Sequence, residues 1–293
     1  MRPAQLETFL QMRGEARAPG GDDVRLVALP QAVLRVRMAG DGGATVVIVP
    51  DPPNVIEHYD GLIALLAPHL RVVCCEAPGF GFSRPTRDFD FGLASQTATL
   101  AALLSRLALG PCVLAFPCFA GLIAVRLATD HPELVSGLVL VQTAAWAEEL
   151  GWVRRVDARG LLQTRWLGQL VMSLGKRRVA RGWYRAALPR GTDPAPFLTP
   201  ALAAFARGGA YCLASAFQAA CLMAEPPLGP VRQPALVIWG DADRTHRRTD
   251  KRSILAYAPQ ARWVQFEAAG HFPDLEQPER FRDELLRFLG VPG

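Results

Sequence analysis

Short runs of apolar and β-branched residues, spaced by longer stretches of helical periodicity, constrain this chain more than any other feature. The runs at 45–49, 71–75, 112–116, 137–141 and 235–239 lack polar–apolar alternation. That is the pattern of strands covered on both faces, and hence of a mostly parallel sheet. Further strands are expected at 25–29, 32–38 and 262–266. The stretch 25–38, broken at Pro30, reads as an antiparallel hairpin at one edge. Helical patterns occupy 59–67, 93–109, 120–129, 250–258 and 278–289. Strand–helix alternation implies βαβ units with right-handed crossovers. The fold class is therefore α/β, a central sheet flanked by helices.

One region breaks the alternation. Residues from Trp146 to Pro230 contain no convincing strand and are rich in Leu, Ala, Arg and Trp, punctuated by Gly and Pro. They predict several helices inserted between two strands, packed over the strands' carboxyl ends where open α/β sheets bind ligands. The expected division is an N-terminal extension at 1–22, a core at 23–145, a helical cap at 146–230 and the rest of the core at 231–293.

With 293 residues, 50% of them hydrophobic, the chain can bury a large core. Its net charge of +5 comes almost wholly from Arg, with clusters at 176–181 and 244–252. Aromatics are not interleaved with these, which argues against nucleic acid as a partner. Such a field favours an anionic substrate or an acidic carrier protein. No apolar run reaches membrane-spanning length. Residues 1–20, with Glu7 and Glu15, lack the apolar stretch of a secretory signal. The six cysteines lack disulfide-framework spacing, so reduced thiols and a cytoplasmic location are expected. No His/Cys/Asp cluster has metal-ligand spacing and no Gly-rich loop is built to cradle phosphate. Neither a metal nor another cofactor is expected.

The segment Val113 to Gly121 runs from an apolar strand directly into a helix, with Cys118 at the turn. A nucleophile there points out of the sheet's carboxyl end, and the following N–H groups, that of Phe119 first, can stabilise negative charge. A thiol at a helix N-terminus near a histidine ionises readily. The alternative reading is a small buried hydrophobe. Asp243 closes a buried strand in Trp239-Gly-Asp-Ala-Asp243 and is suited to orient a histidine; Asp241 is the lesser candidate. His271 lies in a loop after the last strand, preceded by Gly270, where a base can reach inward. His58, His69, His131 and His246 lack such a setting. The chain order is nucleophile, acid, histidine.

These residues resemble the α/β-hydrolase superfamily, particularly capped members related to epoxide hydrolases, haloalkane dehalogenases and small esterases. Glu76-Ala-Pro-Gly-Phe-Gly-Phe-Ser83 is similar to the family's Asp-x-Pro-Gly-x-Gly-x-Ser turn. The segments 128–135, 239–243 and 270–278 also match. The resemblance implies a Cys118–His271–Asp243 triad. Three departures stand out. The nucleophile is Cys, against the carboxylate of dehalogenases and epoxide hydrolases. Phe116 stands where the family usually has Gly. The family's His-Gly-x oxyanion loop falls at Pro50-Asp51-Pro52, and Pro52 has no N–H to donate. Asn54 is a candidate substitute donor. Glu57, His58 and Tyr59 either face the pocket or form the first turn of a surface helix.

The expected chemistry is acyl transfer. His271 takes the thiol proton, Cys118 attacks an ester, thioester or lactone of a hydrophobic substrate, and Asp243 holds the imidazole. Water or the substrate itself releases the acyl group. The first case makes a thioesterase, esterase or lactonase. The second makes a non-hydrolytic enzyme of natural-product assembly, by Dieckmann-type cyclisation or elimination. A catalytically silent ligand- or partner-binding protein is the third reading. The partner is a hydrophobic small molecule or a carrier-bound acyl group.

Overall fold

In a computed structural model, residues 1–12 and 18–292 are described. Residues 13–17, which include Glu15, lie outside them. The strands are β1 (Val24–Ala28), β2 (Ala32–Ala39), β3 (Thr45–Ile48), β4 (Arg71–Cys75), β5 (Phe80–Gly81), β6 (Arg84–Pro85), β7 (Cys112–Pro117), β8 (Val135–Val141), β9 (Ala210–Tyr211), β10 (Ala235–Gly240) and β11 (Arg262–Phe266). The main sheet runs β1-β2-β4-β3-β7-β8-β10-β11. β2 is antiparallel to β1 and β4, and every later pair in that order is parallel. The Pro30 hairpin thus forms as expected.

The central strands β3, β7 and β10 are buried at every position. Their unbroken apolar runs are covered by helices on both sides. One layer holds α3 (Leu93–Leu107) and α4 (Cys118–Asp130); the other holds α2 (Asp60–Leu66) and α10 (Pro278–Leu289). The segment 250–258, expected as a helix, forms only the 3₁₀ turn Ser253–Ala256.

Between β8 and β10 lie α5 (Trp146–Val156), α6 (Leu167–Ala187), α7 (Ala195–Ala206) and α8 (Leu213–Leu222). β9 also lies there, against the expectation of a strand-free insertion. Its two residues pair with β5 and fasten the insertion to the Glu76–Ser83 turn. The N-terminal segment folds as α1 (Pro3–Gln11) and packs on α6 and α8. Its buried Glu7 accepts hydrogen bonds from Ser215, and Gln11 brackets the backbone of Tyr211. A short helix α9 (Pro273–Glu276) follows the last strand.

Candidate active site

The site starts where β7 becomes α4 without a linker. Cys118 is the first helical residue and has φ +48°, a left-handed conformation costly for a side chain with Cβ. Two contacts hold it. Thr143, just after β8, donates its hydroxyl to the Cys118 carbonyl at 3.0 Å. Gly121 lets the helix approach that same residue: a Cβ on it would sit 2.1 Å from Thr143 Oγ1. The thiol is thereby aimed beyond the sheet's carboxyl end, into a buried chamber.

Asp243 and His271 meet as the sequence predicts, Nδ1 to Oδ2 at 2.7 Å. Gly240 makes this possible, since a Cβ there would strike the Gly270 carbonyl at 2.1 Å. Thr245 donates its N–H and hydroxyl to Oδ1, and Gln142 donates to Oδ2 at 2.9 Å. Burial disfavours the Asp243 carboxylate, but His271 and these donors hold it well below the usual range. Asp241 instead accepts the Ala268 N–H in an exposed turn.

Burial likewise opposes a charged His271. Asp243 foremost, with Asp51, overcomes it and raises the ring well above its ordinary value. Asp51 is the residue that sequence reasoning passed over in the Pro50–Pro52 loop. Its Oδ2 lies 3.1 Å from His271 Nε2, an ion-pair contact off the line of a good hydrogen bond. The imidazolium is therefore clasped between two carboxylates, one of them from the loop expected to supply an oxyanion donor.

Two more groups were not foreseen. Glu149, in the first turn of α5, is fully buried; its Oε1 accepts the Ala144 N–H at 2.8 Å, and its Oε2 lies 3.9 Å from Cys118 Sγ. Burial raises Glu149 to about 8. Burial first, then the neighbouring Glu149 and Asp51, pushes the Cys118 thiol strongly up. His246, which sequence reasoning set aside, stacks on His271 with ring centroids 5.2 Å apart. Trp152 lies parallel to both rings, and Trp183 meets His271 edge-on. An aromatic face beside a buried imidazolium favours the cation.

Asn54 and His58 are placed elsewhere. The Asn54 carbonyl accepts from Tyr184 at 2.8 Å, while His58 Nε2 contacts Tyr184 and the Phe197 carbonyl. Neither is among the residues that line the chamber. Glu57 pairs with the buried Arg35, and Tyr59 is buried in the core. Phe116 is wholly buried within the sheet's core, where its ring takes the space a glycine would leave. Pro52 and Phe119 do line the chamber.

The chamber encloses about 400 Å³ between the strand ends and the inserted helices. Its walls are mostly apolar, including Phe80, Ile123, Val179 and Phe217, and no Lys or Arg is among the described residues lining it. Cys118, His246 and His271 each present a ligand atom within 4.8 Å of the others. A thiophilic ion such as zinc needs ligand atoms about 3.3–3.8 Å apart, so the three would have to draw together to hold one.

Comparison with known proteins agrees with this architecture. The profile of the Alpha/beta hydrolase family matches residues 43–284. A pimeloyl-[acyl-carrier protein] methyl ester esterase of Nitrosomonas europaea is 29% identical over 76% of this chain and 86% of its own. The polyketide synthase ThaQ of Burkholderia thailandensis is 28% identical over 92% of this chain, which spans only 13% of that protein. Among solved structures, epoxide hydrolase A of Mycobacterium thermoresistibile superposes with TM-score 0.77 at 18% identity, covering 92% of this chain and 98% of its own. An enol-lactonase of Burkholderia xenovorans gives 0.71 at 20% identity, covering 91% and 100%. With the profile spanning most of the sheet, and the strand order and turn residues in agreement, the chain belongs to the alpha/beta hydrolase family.

Proposed function

We propose that the chain is a cysteine-dependent acyl-transfer enzyme, acting through an acyl-enzyme on Cys118, with His271 as an acid–base group of the reaction and Asp243 as the charge partner of His271. The observation that carries this reading is a thiol held in a strained turn at a helix N-terminus, its sulfur and a His271 ring nitrogen within 4.8 Å beside a mostly apolar chamber. The acyl group is neutral and apolar. An anionic one would meet Asp51, with no Lys or Arg among the described residues of the wall to offset it.

A carrier-bound acyl group is supported by charge. Residues 146–230 hold eleven Arg and Lys against five Asp and Glu, so the inserted helices hold the positive balance of the whole chain. Arg177, Arg178 and Arg181 are exposed on α6, whose Val179 and Trp183 line the chamber. An acidic carrier would be steered to that face. The esterase relative is itself named for an acyl-carrier-protein substrate.

Release of the acyl group, by water or by a nucleophile of the substrate itself, passes in either case through a tetrahedral oxyanion, which the helix N-terminus at Phe119 faces. The test is a panel of neutral and ω-carboxylated acyl esters and thioesters. Neutral apolar acyl chains should turn over, and Cys118→Ala should abolish it. Equal rates for carboxylated chains, or turnover intact in Cys118→Ala, overturn the proposal.

A further inference from the structure

Glu149 has the position of a reacting group rather than of a scaffold residue. It is the carboxyl in hydrogen-bond contact with the thiol, it is sealed from water, and it comes from the inserted helix α5 rather than from the strand ends. His271 Nε2 lies 3.1 Å from Asp51 Oδ2 and also approaches the thiol, so it is shared between the two. We propose that Glu149 is a further catalytic residue, which takes the proton from the Cys118 sulfur and returns it, while the imidazolium of His271 serves the leaving group and the acyl acceptor. This rests on the reading of Cys118 as the nucleophile.

The proton count closes. In the reactive form, which fills as pH rises through about 8, the pair is Glu149 carboxylate with the His271 cation, beside a neutral thiol. As sulfur bonds to the acyl carbon, its proton passes to Glu149. The bond to the leaving group breaks with its electron pair, and His271 Nε2 supplies that group's proton. The acyl-enzyme then stands with neutral Glu149 and neutral His271. In the second half, His271 takes the proton of the incoming hydroxyl, water or carbon acid as that atom bonds to the acyl carbon. The C–S bond breaks and sulfur recovers its proton from Glu149. The starting state is restored with no external acid or base. Both halves keep the buried site's net charge constant, the least costly course in a medium of low dielectric.

Glu149 must be ionised to accept the proton, so acylation should rise with pH through about 8 and level above it. The titratable groups facing it are the neutral thiol of Cys118 on α4 and the charged Asp51 after β3, Asp243 after β10 and His271 after β11. The Asp51 and Asp243 carboxylates push its titration up, and the His271 cation pulls it down.

The experiment is single-turnover acylation of Cys118 by a neutral medium-chain acyl thioester, followed by rapid quench and mass spectrometry from pH 6 to 10. Glu149→Gln keeps the acceptor for the Ala144 N–H and nearly the same volume, so a purely structural role would survive it. The proposal expects acylation about 100-fold slower, with the pH 8 limb gone. Glu149→Asp should recover part of the rate and show a shifted limb. A Glu149→Gln enzyme with the wild-type rate and profile overturns the inference while leaving Cys118 as nucleophile. A wild-type profile flat from pH 6 to 9 does the same without any variant. No adduct on wild-type Cys118 at any pH overturns both readings.

Discussion

Asp51→Asn probes the double clasp on His271 with almost no change of shape. At 3.1 Å and an effective dielectric near 20, the two charges attract by about 5 kcal/mol. That is a ceiling, because the Asp51 side chain keeps 13% of its exposure and screening reduces the pair. An opposite charge at such range moves a pKa by about 1–3 units, so loss of one carboxylate of the two should lower His271 by roughly one to two. The assay is NMR titration of ring carbons in histidine-labelled protein. His246, held to about 3 by burial foremost, stays neutral across the range and marks the baseline. The sign for stability follows. The folded ring binds its proton more tightly than the unfolded chain. Its contribution is therefore complete below the unfolded value of 6.5 and fades as pH rises through the folded value. The gap in Tm between wild type and D51N should be widest at acid pH and close in alkali. A wild-type His271 titrating near 6.5, or a shift in D51N below about 0.3 unit, would refute the clasp.

Gly121→Ala should cost about 1–3 kcal/mol, because its methyl meets Thr143 inside a packed joint, and Thr143→Ala in the same chain should recover part of that loss in a thermal melt. A Gly121→Ala protein with unchanged Tm contradicts the close approach at the elbow. Wild-type stability should fall between pH 5 and 9, because burial raises Glu7 and Asp274 to about 7 and Glu149 to about 8. Each carboxyl is better protonated when folded, so its contribution is present below its ordinary value and lost as pH climbs through the raised one. A Tm that rises over this window sinks that account. Reversing Arg177, Arg178 and Arg181 to Glu should raise KM for a carrier-bound acyl group at least tenfold while leaving a free acyl thioester unaffected. Equal loss on both substrates would place these residues in the fold rather than at a docking face.

The sheet was legible because burial on both faces writes itself as unbroken apolar runs; 71–75 and 262–266 coincide with β4 and β11 to the residue. The placement of Cys118, Asp243 and His271 after β7, β10 and β11 was legible because each follows an apolar run with a turn residue beside it. The 250–258 segment misled because its helical spacing is overridden by tertiary placement, leaving one 3₁₀ turn. Asp51 was hidden by attention to the missing donor at Pro52, although a carboxylate in an oxyanion loop was itself a signal. Glu149 was hidden differently. It sits in Trp146-Ala-Glu-Glu-Leu150, a polar helix start in which nothing marks one of two adjacent glutamates as buried. His246 lies in a run of basic residues, and only the fold reveals the stack with Trp152 and His271. Contacts made across the insertion leave no local pattern in the chain.

The most direct test is to mix the protein with an apolar acyl thioester, quench within one turnover and map the adduct by peptide mass. The account predicts one acyl group, on the peptide bearing Cys118, absent from Cys118→Ala and diminished in His271→Ala. An acyl group found on another residue, or turnover persisting in Cys118→Ala, would contradict it.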